Sequence, residues 1–489
     1  MFVDMIPWKT KDMEKIARAF LPEEKLILIR APAGMGKTSV AMAFLFWSCM
    51  MGKRGAIFLR TRREVEHCLS IAERINRTLK LDILIIPTPS KRELCVMGLG
   101  EDIPIRFMCP AVECERLNRR KYSDIEKALR GTVIPSMRSY IHVLSRGGRC
   151  PYIIMKALLP KADIIVGVHE YFSDPYLFSL LGKLDICIID EAHGFILMHN
   201  EFDKDRIEKG RLLVDEFYER GGRNVGRLIV SLWRRGERDD AISVSQYYQY
   251  MQSRGVEVEV DGKIFKIPTP LSIIKERLTR LEKLIVMSST LYPSRFFEVL
   301  FSKGISHKIF VFPGLMKSPT RRLFILDTIL STRHSERSRD VYIGYAKIIR
   351  RIKKRHNSKI IVFTPSYDVA RGIARALNAR VTDAPMGEDI IVTVYRGRIA
   401  EGVEIPEGYN VAVMAGLPYP KVTERTLRVL AVYSREYGID FETLKNAYIN
   451  SSMISALVQA MGRVGRKGRV GHVYVVDRRA KGLFGVGNV

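Results

Sequence analysis

No run of apolar residues in this 489-residue chain is long enough to cross a bilayer. The best candidate, Ala41 to Met51, is about 11 residues where about 20 are needed, and it is expected to form a buried helix. The N-terminus, MFVDMIPWKTK, lacks the apolar centre of a secretory signal. Both absences point to a cytoplasmic protein with no membrane partner. Cysteines are few, seven in all, and inside a cell these are expected to be thiols or metal ligands, not a disulfide framework. Internal repeats and low-complexity tracts are also missing. Acidic residues are scarce beside basic ones, 53 Asp and Glu against 80 Lys and Arg, a formal charge of +27. Such a surplus suits a polyanionic partner, nucleic acid above all, because phosphate neutralisation releases counterions. The plainer alternative is a basic solvated surface.

What is present begins with LILIRAPAGMGKTSV, Leu26 to Val40. A short apolar run, a small-residue loop and a helix-forming stretch follow one another, the order a phosphate-binding loop requires. Gly34, Met35 and Gly36 would let backbone N–H groups turn onto a polyphosphate. Lys37 would add a cation near the outer phosphates, Thr38 a hydroxyl for Mg²⁺, and Ser39 the next turn of a helix whose dipole favours anions. Ala31 stands where the pattern has its first glycine. The bland alternative is a strand-to-helix turn that binds nothing.

Strand-like runs alternate with helical segments at Leu26–Leu28, Ala56–Leu59, Ile83–Ile86, Ile164–Val168 and Cys187–Ile189. A second series follows at Leu323–Leu326, Lys359–Phe363, Ile390–Val394, Val411–Met414 and Val473–Val476. Alternation of this kind predicts an α/β fold with parallel sheets in two domains and a nucleotide between them. Two stretches interrupt the first series. One, about Lys91 to Pro151, is Arg-rich and irregular; the other, about Phe195 to Arg280, is helical, with a hairpin predicted about Asp261–Gly262.

CIIDEAH, Cys187 to His193, reads as a buried strand ending in two carboxylates. Asp190 would hold Mg²⁺ through water, and Glu191 would polarise the attacking water. Near the other end, QAMGRVGRKGR places Gln459, Arg463 and Arg466 at spacings of four and three, which predicts one shared helix face. Arginines reaching across a cleft neutralise charge on a transferred phosphoryl group. A solvated basic helix is the alternative.

In this order, APAGMGKT (31–38), LRT (59–61), DEAH (190–193), MSSTL (287–291), VFTPSY (362–367), YRGRIAEGVE (395–404) and QAMGRVGR (459–466) resemble a superfamily 2 helicase. The XPD branch of iron-sulfur DNA helicases, related to DinG, is the nearest likeness, and it covers nearly the whole chain. The resemblance implies nucleotide contacts at Lys37 and Thr38, hydrolysis at Asp190 and Glu191, and arginine fingers at Arg463 and Arg466. It implies a DNA-backbone contact at Arg60 and Thr61, coupling of hydrolysis to movement at Ser289 and Thr290, and a domain-interface motif at Gly402 and Glu404.

Cys95, Cys109, Cys114 and Cys150 are 14, 5 and 36 positions apart. Spacing alone leaves zinc, an iron-sulfur cluster and ordinary thiols open. The resemblance implies a 4Fe-4S cluster on these four, since the family's last cluster cysteine also precedes Pro-Tyr, here Pro151 and Tyr152. Cys49, Cys68 and Cys187 read as packing residues. The chain departs from the family in having no glutamine before Gln246, so no glutamine precedes the loop to read adenine; Lys9 or Lys11 stands near that place. The second insertion is also short for an arch. Tyr247, Tyr248 and Tyr250 within it are expected to pack a helix before they stack bases, and Asp174 to make a turn before Pro175.

The expectation is a monomeric motor with two RecA-like P-loop domains, using ATP and Mg²⁺ and carrying a 4Fe-4S cluster. It would move 5′ to 3′ on single-stranded and forked DNA, in DNA repair. Residues 1–90, 152–194 and 281–318 would form the first domain, 91–151 the cluster insertion, 195–280 the arch-like insertion and 319–489 the second domain. The alternatives are an RNA or RNA–DNA hybrid helicase, and a DNA-binding Fe-S protein with weak ATPase activity.

Overall fold

The computed structural model describes residues 2–32, 35–95, 122–196, 198–289, 294–312, 321–356, 358–383, 387–401, 405–465 and 470–484. Its strands in chain order begin with β1 (Leu26–Arg30), β2 (Gly55–Leu59), β3 (Ile85–Pro87), β4 (Ile164–Val168) and β5 (Ile186–Ile189). An insertion contributes β6 (Asn200–Asp203), β7 (Val256–Val260) and β8 (Lys263–Ile267). Next come β9 (Lys283–Ser288) and β10 (His307–Val311). The second half supplies β11 (Arg321–Ile325), β12 (Lys359–Thr364), β13 (Arg380–Val381), β14 (Ile390–Val394), β15 (Tyr409–Ala415) and β16 (Gly471–Val476).

Seven of these make one parallel sheet in the order β10-β1-β9-β5-β2-β4-β3. Its central strands are continuous apolar runs such as LILI in β1, as burial on both faces demands. Because β9 pairs with both β1 and β5, the ends of those three strands lie side by side. Six strands make the second parallel sheet, β11-β16-β15-β12-β14-β13. Along β12 the side chains divide by parity: Ile361 and Phe363 join one core, Ile360 and Val362 another on the opposite face. We refer to the two sheets with their helices as the first and second lobes.

Within 195–280, Phe195, Val260, Phe265, Ile267 and Ile273 join the core of the first sheet, while three helices pack separately. Helices Lys204–Glu219, Val225–Arg234 and Arg238–Gln252 share a core that includes Val214, Leu228, Ile229 and Val244. Beside them β6, β8 and β7 form an antiparallel sheet whose hairpin turns at Asp261 (φ 49) and Gly262 (φ 71), the left-handed pair a tight hairpin needs. The three tyrosines here are packing residues. Tyr247 and Tyr248 lie against the helical core, while Tyr250 meets Phe202 edge-on and donates its hydroxyl to Glu257.

One helix of the second half does not stay with its own sheet. In Glu424–Tyr437, Val429, Leu430, Val432, Tyr433 and Tyr437 belong to the core of the first sheet. The Tyr437 hydroxyl donates to the Leu300 carbonyl at 2.9 Å and accepts from the Leu271 amide at 3.1 Å. At the other end of that helix Arg425 pairs with Glu201 and lies over the Phe265 ring.

Candidate functional site

The loop after β1 delivers the chain into helix Lys37–Met50 through Gly36, whose φ of 84 lies in the left-handed region. That backbone favours glycine, and a Cβ there would also require the Met13 side chain, with Cε at 2.4 Å, to move. Lys37 is buried, and its ammonium donates to the Ala31 carbonyl at 3.0 Å and the Pro32 carbonyl at 3.3 Å. Ser39 is buried in the first turn, Met35 lies against the first core, and Gly34 lies outside the described residues.

Asp190 and Glu191 follow β5, beside the loop because β1, β9 and β5 are neighbours. The Thr38 hydroxyl donates to Asp190 Oδ2 at 2.6 Å, and the Glu191 amide donates to Asp190 Oδ1 at 2.9 Å. Glu191 itself stands at φ 48, in the left-handed region that non-glycine residues rarely adopt. Its carboxylate accepts from the Ser289 hydroxyl at 3.2 Å and lies 3.3 Å from His193 Nδ1. Arg60 Nη1 is 3.3 Å from His193 Nε2. A guanidinium only donates, so Nε2 accepts and Nδ1 carries the proton toward Glu191.

These contacts set the charges. Burial, then the neighbouring Glu191 charge, raise the pKa of Asp190 against Lys37 and the Thr38 hydrogen bond. Burial pushes Glu191 upward too, but the His193 hydrogen bond and the Lys37 and Arg60 charges outweigh it and hold Glu191 low. Burial takes His169 down to about 3, so its ring is neutral, and Nε2 lies 2.8 Å from the Asp190 carbonyl as its donor. Glu64 is raised to about 7 by burial and by the Glu191 charge. The His169–Asp190 and Arg60–His193 contacts have no local sequence signal, because each joins elements distant in the chain.

Two hard oxygen donors, the Thr38 hydroxyl and the Asp190 carboxylate, beside a buried ammonium and the start of a helix, fit a Mg-bound triphosphate. Two family models match the chain, one described as DEAD_2 over residues 57–212 and one as a helicase C-terminal domain over 382–482, together more than half of its length. Among solved structures, an XPD helicase aligns over 98% of this chain and 97% of its own, with TM-score 0.66 and 17% identity. Xpd4 of S. tokodaii aligns over 97% and 96%, with TM-score 0.56 and 15% identity. The chain belongs to the XPD-like superfamily 2 helicases. It is therefore a helicase and nucleoside triphosphatase, and the family implies ATP with Mg²⁺.

The second lobe brings less of this helicase's expected site into place. The long helix Phe441–Met461 stops one residue short of Gly462, so Gln459 lies in its last turn and Arg463 lies beyond it. The shared helix face expected for Gln459 and Arg463 is thus not formed; glycine is a poor helix former and ends the run. Arg463 Nε donates to the Ala400 carbonyl at 2.9 Å, within its own lobe, and Arg466, Gly402, Glu404 and Thr290 lie outside the described residues. Gln459 does reach the cleft, lining a cavity of about 370 Å³ with Arg60 and His193. Thr61 caps helix Arg62–Leu79, accepting from the Glu64 amide while Glu64 returns to the Thr61 amide at 3.0 Å.

Of the four cysteines, Cys109 and Cys114 lie outside the described residues. Cys95 follows the short helix Lys91–Leu94, and Cys150 precedes helix Pro151–Leu158. These two helices touch, and Lys91 Nζ lies 5.1 Å from the Tyr152 ring centre. Both thiols are half-buried, a donor type suited to iron or zinc. Among the described residues no group of three or more His, Cys, Asp or Glu could hold a metal ion. Cys68 and Cys187 are buried, and Cys49 Sγ meets the Asp163 carbonyl at 3.5 Å. Asp174 caps helix Pro175–Ser179 by accepting from Leu177. Lys9, near the expected adenine reader, is paired with Asp4 at 2.6 Å. No helix among the described residues is long and apolar enough to cross a membrane.

Proposed function

We propose that this helicase is an ATP-driven motor that moves 5′ to 3′ along single-stranded DNA and opens forks in DNA repair, inside the cell and as a monomer. The observation that carries the reading is the Thr38–Asp190 contact at 2.6 Å, which unites the phosphate loop and the strand-end acid pair at one point. Residues 1–90, 152–194 and 281–318 act as the nucleotide-binding domain, 319–489 as the second motor domain, 195–280 as a short arch and 91–151 as the cluster insertion.

In this reading Lys37 binds the outer phosphates, with Gly34, Met35, Gly36 and Ser39 shaping their cradle. Thr38 and Asp190 hold Mg²⁺, which when bound offsets phosphate charge. Glu191, kept ionised by His193 and nearby cations, accepts a proton from the attacking water. Ser289, with Thr290, links that carboxylate to the loop after β9. Gln459, Arg463 and Arg466 approach the phosphates from the second lobe, Gly402 and Glu404 line the interface, and Arg60 and Thr61 hold strand phosphates. Cys95, Cys109, Cys114 and Cys150 hold a 4Fe-4S cluster. The +27 charge supports a nucleic-acid track.

A strand-displacement assay on DNA and RNA forks with either a 5′ or a 3′ tail tests this. The 5′-tailed DNA fork is expected to open with ATP and to stay closed with the Lys37→Ala variant. Opening of RNA forks alone, or of 3′-tailed forks alone, overturns the substrate or the polarity.

A further inference from the structure

His169 is buried just after β4, and β2 separates β4 from β5 in the sheet. Its ring reaches past the end of β2, where Nε2 donates to the Asp190 carbonyl at 2.8 Å. That carbonyl and the Glu191 amide are the two polar ends of one peptide group. The amide end is held as well, because it donates to Asp190 Oδ1 at 2.9 Å. The peptide that joins the two acids is therefore pinned at both ends, and Glu191 stands just beyond it at φ 48 and ψ 47. A residue with a Cβ rarely keeps that conformation unless its surroundings impose it. Rotating the peptide would break both hydrogen bonds and carry Glu191 to the ordinary negative-φ side, and with it the carboxylate now held by Ser289 and His193. The ring that prevents this has little freedom. It lies 4.6 Å from the Phe195 ring, and a Cβ on Gly194 would press on it, 2.9 Å from Nδ1 and 3.0 Å from Cε1. Burial keeps it neutral, with its one proton on Nε2.

We propose that His169 is a positioning residue for hydrolysis: by donating its Nε2–H to the Asp190 carbonyl it fixes the peptide between the two acids, and so keeps Glu191 in the left-handed conformation that presents its carboxylate to the attacking water. The inference rests on the roles proposed above for Asp190 and Glu191. It adds to them a side chain whose hydrogen bond is to the backbone of the site and not to the nucleotide. A neutral ring suits this task, since it supplies one directed N–H without placing a further charge beside the two carboxylates.

The test is the steady-state ATPase of the full chain with single-stranded DNA, resolved into kcat and KM, beside binding of a fluorescent, slowly hydrolysed ATP analogue with Mg²⁺. Wild type, His169→Phe, His169→Asn, His169→Gln and Glu191→Gln are compared. Phenylalanine keeps the ring without the donor, asparagine keeps an amide that falls one methylene short of the carbonyl, and the glutamine amide reaches as far as Nε2. A small displacement of a reacting group costs up to about 10²-fold, so His169→Phe and His169→Asn are expected to lower kcat by about 10- to 100-fold with nucleotide binding unchanged. His169→Gln is expected to recover most of the rate and to keep the wild-type pH profile of kcat. A His169→Phe or His169→Asn protein at the wild-type kcat overturns the proposal. So does a defect confined to KM, or a His169→Gln protein as slow as His169→Phe, which would make ring packing the cause. Loss of one limb of the pH profile in His169→Gln would make the imidazole a proton carrier and overturns it too. Should His169→Phe fail to fold, His169→Asn against His169→Gln decides by the same readings. A wild-type chain without ATPase activity, or Glu191→Gln at the wild-type rate, overturns the proposed hydrolytic roles themselves.

Discussion

The hydroxyl of Thr38 and a carboxylate oxygen of Asp190 lie 2.6 Å apart although 152 positions separate them in the chain. The contact exists because β9 sits between β1 and β5 and brings the ends of all three strands to one edge of the sheet. A second link, from Ser289 at the end of β9 to Glu191, ties the remaining strand of the three into the same cluster.

Removing either carboxylate is expected to separate their roles. Glu191→Gln leaves the Thr38–Asp190 pair intact, so ATP binding should persist while turnover falls by about 10²–10⁴. Asp190→Asn should lose at least about 100-fold and weaken the Mg²⁺ requirement curve as well. Steady-state ATPase rates with a parallel nucleotide-binding titration check both.

Glu64 makes stability depend on pH. Its pKa rises from an ordinary 4.5 to about 7 in the fold, through burial and the charge on Glu191. The folded chain thus holds this proton more tightly than the unfolded chain does. That contribution favours the fold below about pH 4.5 and is lost as pH rises through about 7, a swing of up to ~3 kcal/mol. Glu64→Gln keeps an acceptor for the Arg60 and Thr61 amides, so it should melt a few degrees above wild type at pH 8, with the gap closing toward pH 5. Paired melting curves at the two pH values decide it.

Tyr437 pins the second half of the chain to the first sheet. Tyr437→Phe removes the hydroxyl shared by Leu300 and Leu271 and leaves buried backbone groups without it, at a cost of about 1–3 kcal/mol. Urea unfolding is expected to show that loss.

Cys150→Ser should yield protein with little iron and sulfide after anaerobic purification, where wild type shows a broad visible absorption. A wild-type protein that is colourless and loaded with zinc contradicts the cluster. The nucleotide site is expected to bind ATP in either case, since it lies on other strands.

Much of this was legible before any coordinates. LIL (26–28), CII (187–189) and KIIVF (359–363) read as strands because buried parallel strands are uninterrupted apolar runs, and Asp261–Gly262 announced its hairpin by turn chemistry. What the sequence did not reveal depends on contacts between distant elements. The helix Glu424–Tyr437 looks amphipathic in isolation, and nothing local says that its apolar face belongs to the first sheet and not to the second. The spacing of Gln459 and Arg463 suggested one helix face, but Gly462 ended the helix between them. The neutral His169 behind Asp190 and the Arg60–His193–Glu191 chain arise only when β2, β4 and β5 are laid side by side.

The central claim, that triphosphate cleavage at the Thr38–Asp190 site is geared to a nucleic-acid strand, is tested most directly by the ATPase rate of the full chain with and without single-stranded DNA, beside Lys37→Ala. The strand is expected to raise the wild-type rate several-fold and Lys37→Ala to abolish both rates. A wild-type protein that hydrolyses ATP equally fast whether or not the strand is present contradicts it.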